Sequence, residues 1–223
     1  MMSLFSDSPS TTRTHFERQM KRIQQDVLRM GALVENSCWL AGQALVERDL
    51  TAAQLIIRQD KKIDILYRQI ELDCVNLMAL QAPVNRDLRL LSALMQLVRD
   101  LERIGDYAQD ICEVAVKLFP YPEQLAADGI SLMLDRCRAM VAMSLEALSN
   151  LDLEAAKSIR DKDDLVDADY ETLYNRLVQA PDLRHGVEPV VLLVLVIRYL
   201  ERIADHATNI GNRITYIVTG ERQ

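Results

Sequence analysis

The stretch LVRDLERIGDYAQDI, residues 97–111, recurs as VIRYLERIADHATNI at residues 196–210. Glu102 then matches Glu201 and Asp106 matches Asp205, each 99 positions further on. In both copies apolar residues return at intervals of three and four, the period of a helix with one buried face. Upstream, DLTAA (49–53) matches DLEAA (152–156), and Asp60, Asp64 and Tyr67 match Asp163, Asp167 and Tyr170, all at an offset of 103. Matches that keep their order across two helical segments mark an internal duplication. The repeat is far longer than the ~33–34 residues of ankyrin or tetratricopeptide units. The change of offset predicts a shorter connection before the last helix of the second copy.

Pro83, Pro120/Pro122 and Pro181 fall between long periodic segments, where a residue lacking an N–H does no harm. The spacing predicts helices near 15–47, 50–80, 87–118, 124–149, 152–179 and 188–219. Short connections make three antiparallel helices per copy the simplest arrangement. The fold is therefore all-α: two tandem three-helix bundles, over 15–120 and 121–223, behind a loose, disordered tail at 1–14. VVLLVLVI (190–197) taken alone also fits a buried strand. Its partner in the first copy, LRLLSALMQLV (88–98), reads as helix, so both are assigned helical.

Composition agrees. Among 223 residues there are 7 Gly and 6 Pro, and 49% are hydrophobic, enough for one large core or two small ones. A formal net charge of -7 disfavours direct nucleic-acid binding, because such a surface repels phosphate backbones; cations and basic partner surfaces fit better. Cys38, Cys74, Cys112 and Cys137 contain no CxxC pair and sit within helical patterns, as reduced, packed thiols do. Residues 1–14 lack a basic start followed by an apolar stretch, and the longest apolar run, Val190–Ile197, is short of the ~20 residues a bilayer requires. The expected location is cytoplasmic, with no transmembrane segment.

At about 100° per residue, Glu102 and Asp106 lie about 40° apart, opposite the apolar stripe of Leu97, Leu101, Ile104, Ala108 and Ile111. Glu201 and Asp205 repeat the arrangement. Asp60 and Asp64 border the stripe of Ile56, Ile63, Tyr67 and Ile70, and Asp163 and Asp167 repeat them. An acid pair on each of two adjacent helices can meet in one groove. Like charges at i and i+4 cost a few tenths of a kcal/mol, and a multivalent cation reverses that sign. Oxygen-only ligands suit magnesium, manganese or calcium, and iron accepts carboxylates too.

The plainer alternative is ordinary surface ion pairing, since Arg99, Arg103, Arg198 and Arg202 lie three residues before these acids. Such pairs are worth roughly 0.3–0.5 kcal/mol each. His206 points about 100° away from Asp205 and is read as a partner or surface contact. His15 and His185 carry no signal. Tyr67 and Tyr170 read as packing at the stripe edge, and Trp39 as a core or interface residue. Asp161, Asp163, Asp164, Asp167 and Asp169 form an acid-dense stretch, part of it read as solvated surface, in which only Asp163 and Asp167 have the repeated spacing.

LERIGDYA and LERIADHA, behind HFERQMKRIQQDVLRMG, resemble the PhoU family over residues 15–219. The resemblance implies two three-helix bundles whose E(D)xxxD motifs bind multinuclear metal clusters. The matching residues are Asp60/Asp64 with Glu102/Asp106, and Asp163/Asp167 with Glu201/Asp205. The metal would be divalent or trivalent: iron, zinc, magnesium or manganese. The resemblance further implies a negative regulator of phosphate uptake and of the phosphate-starvation genes. Such a protein links the ATPase subunit of the phosphate ABC transporter to a membrane sensor histidine kinase. It has no established enzymatic activity and is commonly a homodimer. Tyr199 and Asn209 stand where the first copy has Asp100 and Asp110, so weaker metal binding is expected at the second site.

No GxSxG, Walker loop, HExxH or CxxC occurs. A carboxylate-bridged metalloenzyme of ferritin type needs a Glu-x-x-His on two helices, and no ExxH is present. An accessory protein of a low-affinity phosphate permease is the nearer alternative.

Overall fold

The computed structural model describes residues 9–121, 126–179 and 186–221, with side chains from residue 13 onward. It contains α1 (Pro9–Leu45), α2 (Leu50–Gln81), α3 (Asn85–Leu118), α4 (Ala127–Asn150), α5 (Leu153–Val178) and α6 (Glu188–Thr219). The six expected helices are therefore present. VVLLVLVI lies wholly within α6 and LRLLSALMQLV within α3. Two details differ. Residues 9–14 belong to α1 and not to a loose tail; Pro9 opens the helix, where its missing N–H costs nothing. The four positions lost in the second copy do not come from a shorter connection. α5 stops at Val178, six residues short of the length of α2, and the link to α6 is six residues longer than 82–84, so α6 still starts 103 positions after α3. The four positions are lost within α6, where Glu201 lies 13 residues after Glu188 while Glu102 lies 17 after Asn85. Pro122, Pro181 and His185 lie outside the described residues.

The repeated Asp of DLTAA and DLEAA has a local role. Asp49 accepts a hydrogen bond from the Thr51 N–H at 2.7 Å, and Asp152 accepts from Glu154 and Ala155 N–H at 3.0 Å. Each satisfies donors that the first turn of a helix leaves unpaired, a contribution of about 1 kcal/mol. The duplication thus preserved the start signal of α2 and α5.

α1, α2 and α3 pack together, as do α4, α5 and α6. The halves join side by side through α3 against α6, the most extensive pairing in the molecule, and more lightly through α1 against α4. One continuous apolar core results. Leu97, Leu101, Ile104, Ala108 and Ile111 are fully buried, as are Val196, Leu200, Ile203, Ala207 and Ile210, so the stripe read on each third helix faces inward. Burying an Ile or Leu removes ~1.5–3 kcal/mol of unfavourable hydration. The four cysteines are free and buried, and burial pushes the thiols of Cys38, Cys74 and Cys112 up to about 12. Tyr67 and Tyr170 pack at the core's edge as expected. Trp39 does not enter the core: it is 44% exposed, in a groove between α1 and α4.

Candidate functional site

α2 runs antiparallel to α3, and α5 to α6. In the first half this register sets Asp60 and Asp64 across from Glu102 and Asp106. All four are partly buried. Burial raises the Glu102 carboxyl, and Asp106, Asp64 and Asp60 raise it further, against the lowering effect of Arg103. Asp60 is raised by burial, then by Asp64 and Asp106. Asp106 is likewise raised by burial, with Asp64 and Asp110 adding to it while Arg103 and His206 oppose it. The second half repeats the pattern. Asp163 is pushed up to about 6 by burial, then by Asp167 and Asp205. Burial and Asp205 raise Asp167; burial raises Glu201, with Asp205 and Asp167 adding to it and Arg198 opposing. The eight acids therefore sit in two grooves, four to each, and the members of each groove repel one another.

They are not drawn into a coordination shell. Among the described residues no group of three or more His, Cys, Asp and Glu is poised around one point. Arginines hold several acids instead: Arg68 and Asp64 at 2.9 Å, Arg103 and Asp106 at 3.5 Å, Arg202 and Asp205 at 3.1 Å, and Arg198 with Glu201. Surface pairing and groove formation thus coexist. The donor set nevertheless suits a hard cation, since each groove offers only carboxylate oxygens. Asp163 Oδ1 is buried without a hydrogen-bond partner. The Thr208 hydroxyl beside it opposes the rise at Asp163. A buried acceptor with nothing to bind is the environment a cation relieves.

The shift at Asp163 has a sign that can be tested. Its folded value, about 6 against an ordinary 3.8, means the folded chain holds this proton more tightly than the unfolded chain. The associated stability is complete below about 3.8 and is lost as pH rises through about 6. The whole difference corresponds to roughly 3 kcal/mol, which solvent screening at this half-open group reduces to about 1 kcal/mol. Asp163→Asn is therefore expected to raise the melting temperature of metal-free protein at pH 7.5 by roughly 2–4 °C. The advantage over the parent should vanish at pH 4. Thermal melts at both pH values check this, and a variant less stable than the parent at pH 7.5 contradicts it.

Two sequence expectations change. His206 does not stand free on the surface: its Nδ1 lies 2.9 Å from Asp100 Oδ1 across the junction of the halves. Asp100, in turn, does not add charge to the first groove. It is buried between α3 and α6, where Asn209 Nδ2 also donates to it at 3.4 Å. The argument for a weaker second site loses that premise, although Asp110 still raises Asp106. Within the acid-dense stretch of α5, Asp169 pairs with Arg136 of α4 at 2.6 Å.

The Asp100–His206–Asn209 network escaped the sequence reading. A signal existed. At 100° per residue Asp100 falls about 160° from Glu102, and His206 about 140° from Glu201. Both belong to the flank between acid face and apolar stripe, which is where a second bundle docks.

A duplicated three-helix bundle bearing one acidic groove per copy defines a class of paired helical-bundle proteins. The model of the PhoU domain matches residues 27–115 and again 130–214. The "Phosphate-specific transport system accessory protein PhoU homolog" of Synechocystis sp. is 51% identical over 99% of both chains. That of Clostridium acetobutylicum is 32% identical over 95% of this chain and 97% of its own. The crystal structure of PhoU from Pseudomonas aeruginosa superposes with a TM-score of 0.89 at 32% identity, covering 92% of this chain and all of that one. The phosphate transport system regulatory protein PhoU from Streptococcus pneumoniae gives 0.86 at 31% identity, over 93% and 99%. The chain belongs to the PhoU family.

Proposed function

We propose that this chain is a non-enzymatic accessory regulator of phosphate transport, acting in the cytoplasm as a negative regulator of phosphate uptake and of the phosphate-starvation genes. It binds the ATPase subunit of the phosphate ABC transporter and a sensor histidine kinase when phosphate is plentiful, as a homodimer. Membership of the PhoU family, with relatives named for a phosphate-specific transport system, is the observation that carries this reading. No helix among the described residues is long and apolar enough to cross a membrane, which is compatible with an adaptor docking on membrane proteins from one side.

The metal part of the proposal assigns Asp60, Asp64, Glu102 and Asp106 to one centre and Asp163, Asp167, Glu201 and Asp205 to the other. A bound cation supplies positive charge that cancels the repulsion within each groove and ties α2 to α3, or α5 to α6. The chain's own residues hold the acids on adjacent helix faces, and the neighbouring arginines neutralise them when no cation is present. His206 belongs to the bundle junction, so imidazole ligation of the ferritin type is not part of the reading.

Pull-down of the ATPase subunit by the purified full-length chain at high phosphate tests the proposal. Retention of the ATPase subunit is the expected result. Failure to retain it, with retention of a low-affinity phosphate permease instead, moves the protein to the alternative transporter.

A further inference from the structure

The junction of α3 and α6 opens into a cleft of about 700 Å³ on the face that carries Asp100. Arg99 and Arg103 reach it from α3, Arg202 and Arg213 from α6, with Gln96 and Tyr107 between them. Four guanidinium groups meet here in a chain whose net charge is -7. A cleft whose lining is dominated by positive charge concentrates anions. We propose that this cleft binds a small phosphate-bearing anion, either inorganic phosphate or a small phosphomonoester.

The chemistry favours that class. Guanidinium is planar and presents its N–H donors as a fork that matches two oxygens of a phosphate group, and it keeps its charge at any physiological pH. Two of the four arginines have donors to spare. Arg99 makes no ion pair among the described residues and is exposed. Arg213 Nε is buried without a hydrogen bond, 4.0 Å from Asp100 Oδ2, which is also buried and unbonded. Asp100 is the one carboxylate lining the cleft, and on its own it would repel an anion. Its Oδ1 is occupied by His206 and Asn209, and its Oδ2 faces Arg213. Asp100 is thus a positioning residue that holds the Arg213 guanidinium at the cleft wall. Arg103 and Arg202 are shared with the acidic grooves through Asp106 and Asp205, which places the cleft between the two. The inference requires neither metal in the grooves nor contact with a transporter.

Isothermal titration of chelator-treated protein with inorganic phosphate, and separately with glycerol 3-phosphate, tests it. Saturable binding of either probe at one site per chain is expected. The tighter probe identifies the source of the phosphate group. Arg99→Gln/Arg213→Gln should weaken binding at least tenfold. Arg138→Gln removes the same charge from the groove between α1 and α4 and should leave binding unchanged. Arg99→Gln alone, at an exposed position, serves if the double variant loses its helical circular dichroism, and should still weaken binding severalfold. Absence of saturable binding of both probes, binding that appears only after metal is restored, or equal affinity in parent and folded arginine variants overturns the proposal. Because the titration is done without metal or partner, its failure is separate from failure of the transporter pull-down.

Discussion

Manganese(II) added to chelator-treated protein is expected to raise its melting temperature by about 5–10 °C, and Glu102→Gln/Asp106→Asn is expected to remove about half of that gain. A ligand that binds only the folded state at ten times its Kd contributes about 1.4 kcal/mol per site, so about 3 kcal/mol over the two grooves, and each kcal/mol moves a chain of this size by roughly 2–4 °C. The physical basis is the burial of Asp60, Glu102 and Asp106, and again of Asp163, Asp167 and Glu201, together with the repulsion of their neighbouring acids, which raises each carboxyl. The same variant should have the opposite effect without metal. Neutralising two of four crowded acids relieves repulsion, so the metal-free variant should melt at or above the parent. If these acids served only as partners of Arg103 in surface pairs, the metal-free variant would lose roughly 0.3–0.5 kcal/mol and metal would stabilise neither protein. Thermal melts with and without manganese, in parent and variant, separate the two. The equivalent variant Glu201→Gln/Asp205→Asn compares the second groove with the first.

Gly211→Val is expected to cost about 2–3 kcal/mol and to impair the second groove. A Cβ at Gly211 would stand 2.7 Å from the backbone carbonyl oxygen of Ala156 and 3.3 Å from Ile159 Cδ1. A side chain can swing aside, but a helical backbone carbonyl cannot, so α5 and α6 must separate. Overpacking of this kind in a core costs ~1–3 kcal/mol, and a branched residue with two methyl groups belongs at the upper end. The contact lies less than a full turn of α6 from Thr208, beside Asp163, so separation here widens the groove at its base. Denaturant unfolding measures the cost, and metal titration of the folded variant measures the second effect. Gly105 gives a milder comparison. A Cβ there meets only the Ile63 side chain, at 3.2 Å from Cδ1 and 3.7 Å from Cγ2, and its counterpart Ala204 already carries one, so Gly105→Ala should be nearly neutral. Unfolding of Gly211→Val at the parent's midpoint would show that α5 and α6 have slack at this contact.

The helices were legible because a 3.6-residue apolar period is a local property, and the duplication allowed one copy to correct the other. VVLLVLVI is ambiguous alone and becomes α6 once LRLLSALMQLV is read beside it. The eight acids were legible for the same reason, as i,i+4 pairs recurring at two offsets. The changed offset was misread because a count of residues between two landmarks does not say where a helix stops. α5 ends early at Val178 and the following link takes up the difference, so the four positions are lost only in the first turns of α6, ahead of Glu201.

Asp100 shows where local reading ends. Its place in the repeat suggested extra negative charge for the first groove. The docking of α3 on α6 turned it into a buried partner of His206, more than a hundred residues away in the chain. The same docking brought Arg99 and Arg103 to face Arg202 and Arg213. Nothing in the spacing along either helix encodes that meeting.

From its sequence alone this protein had six helices, two copies of one bundle and two sets of four acids, because each follows from periodicity and repetition along a single chain segment. Only the tertiary structure decided which arginines restrain those acids, which of the acids lie buried without a partner, and that a basic cleft opens between the halves. Those depend on the angle and depth at which helix faces meet, and side-chain packing between distant segments sets them.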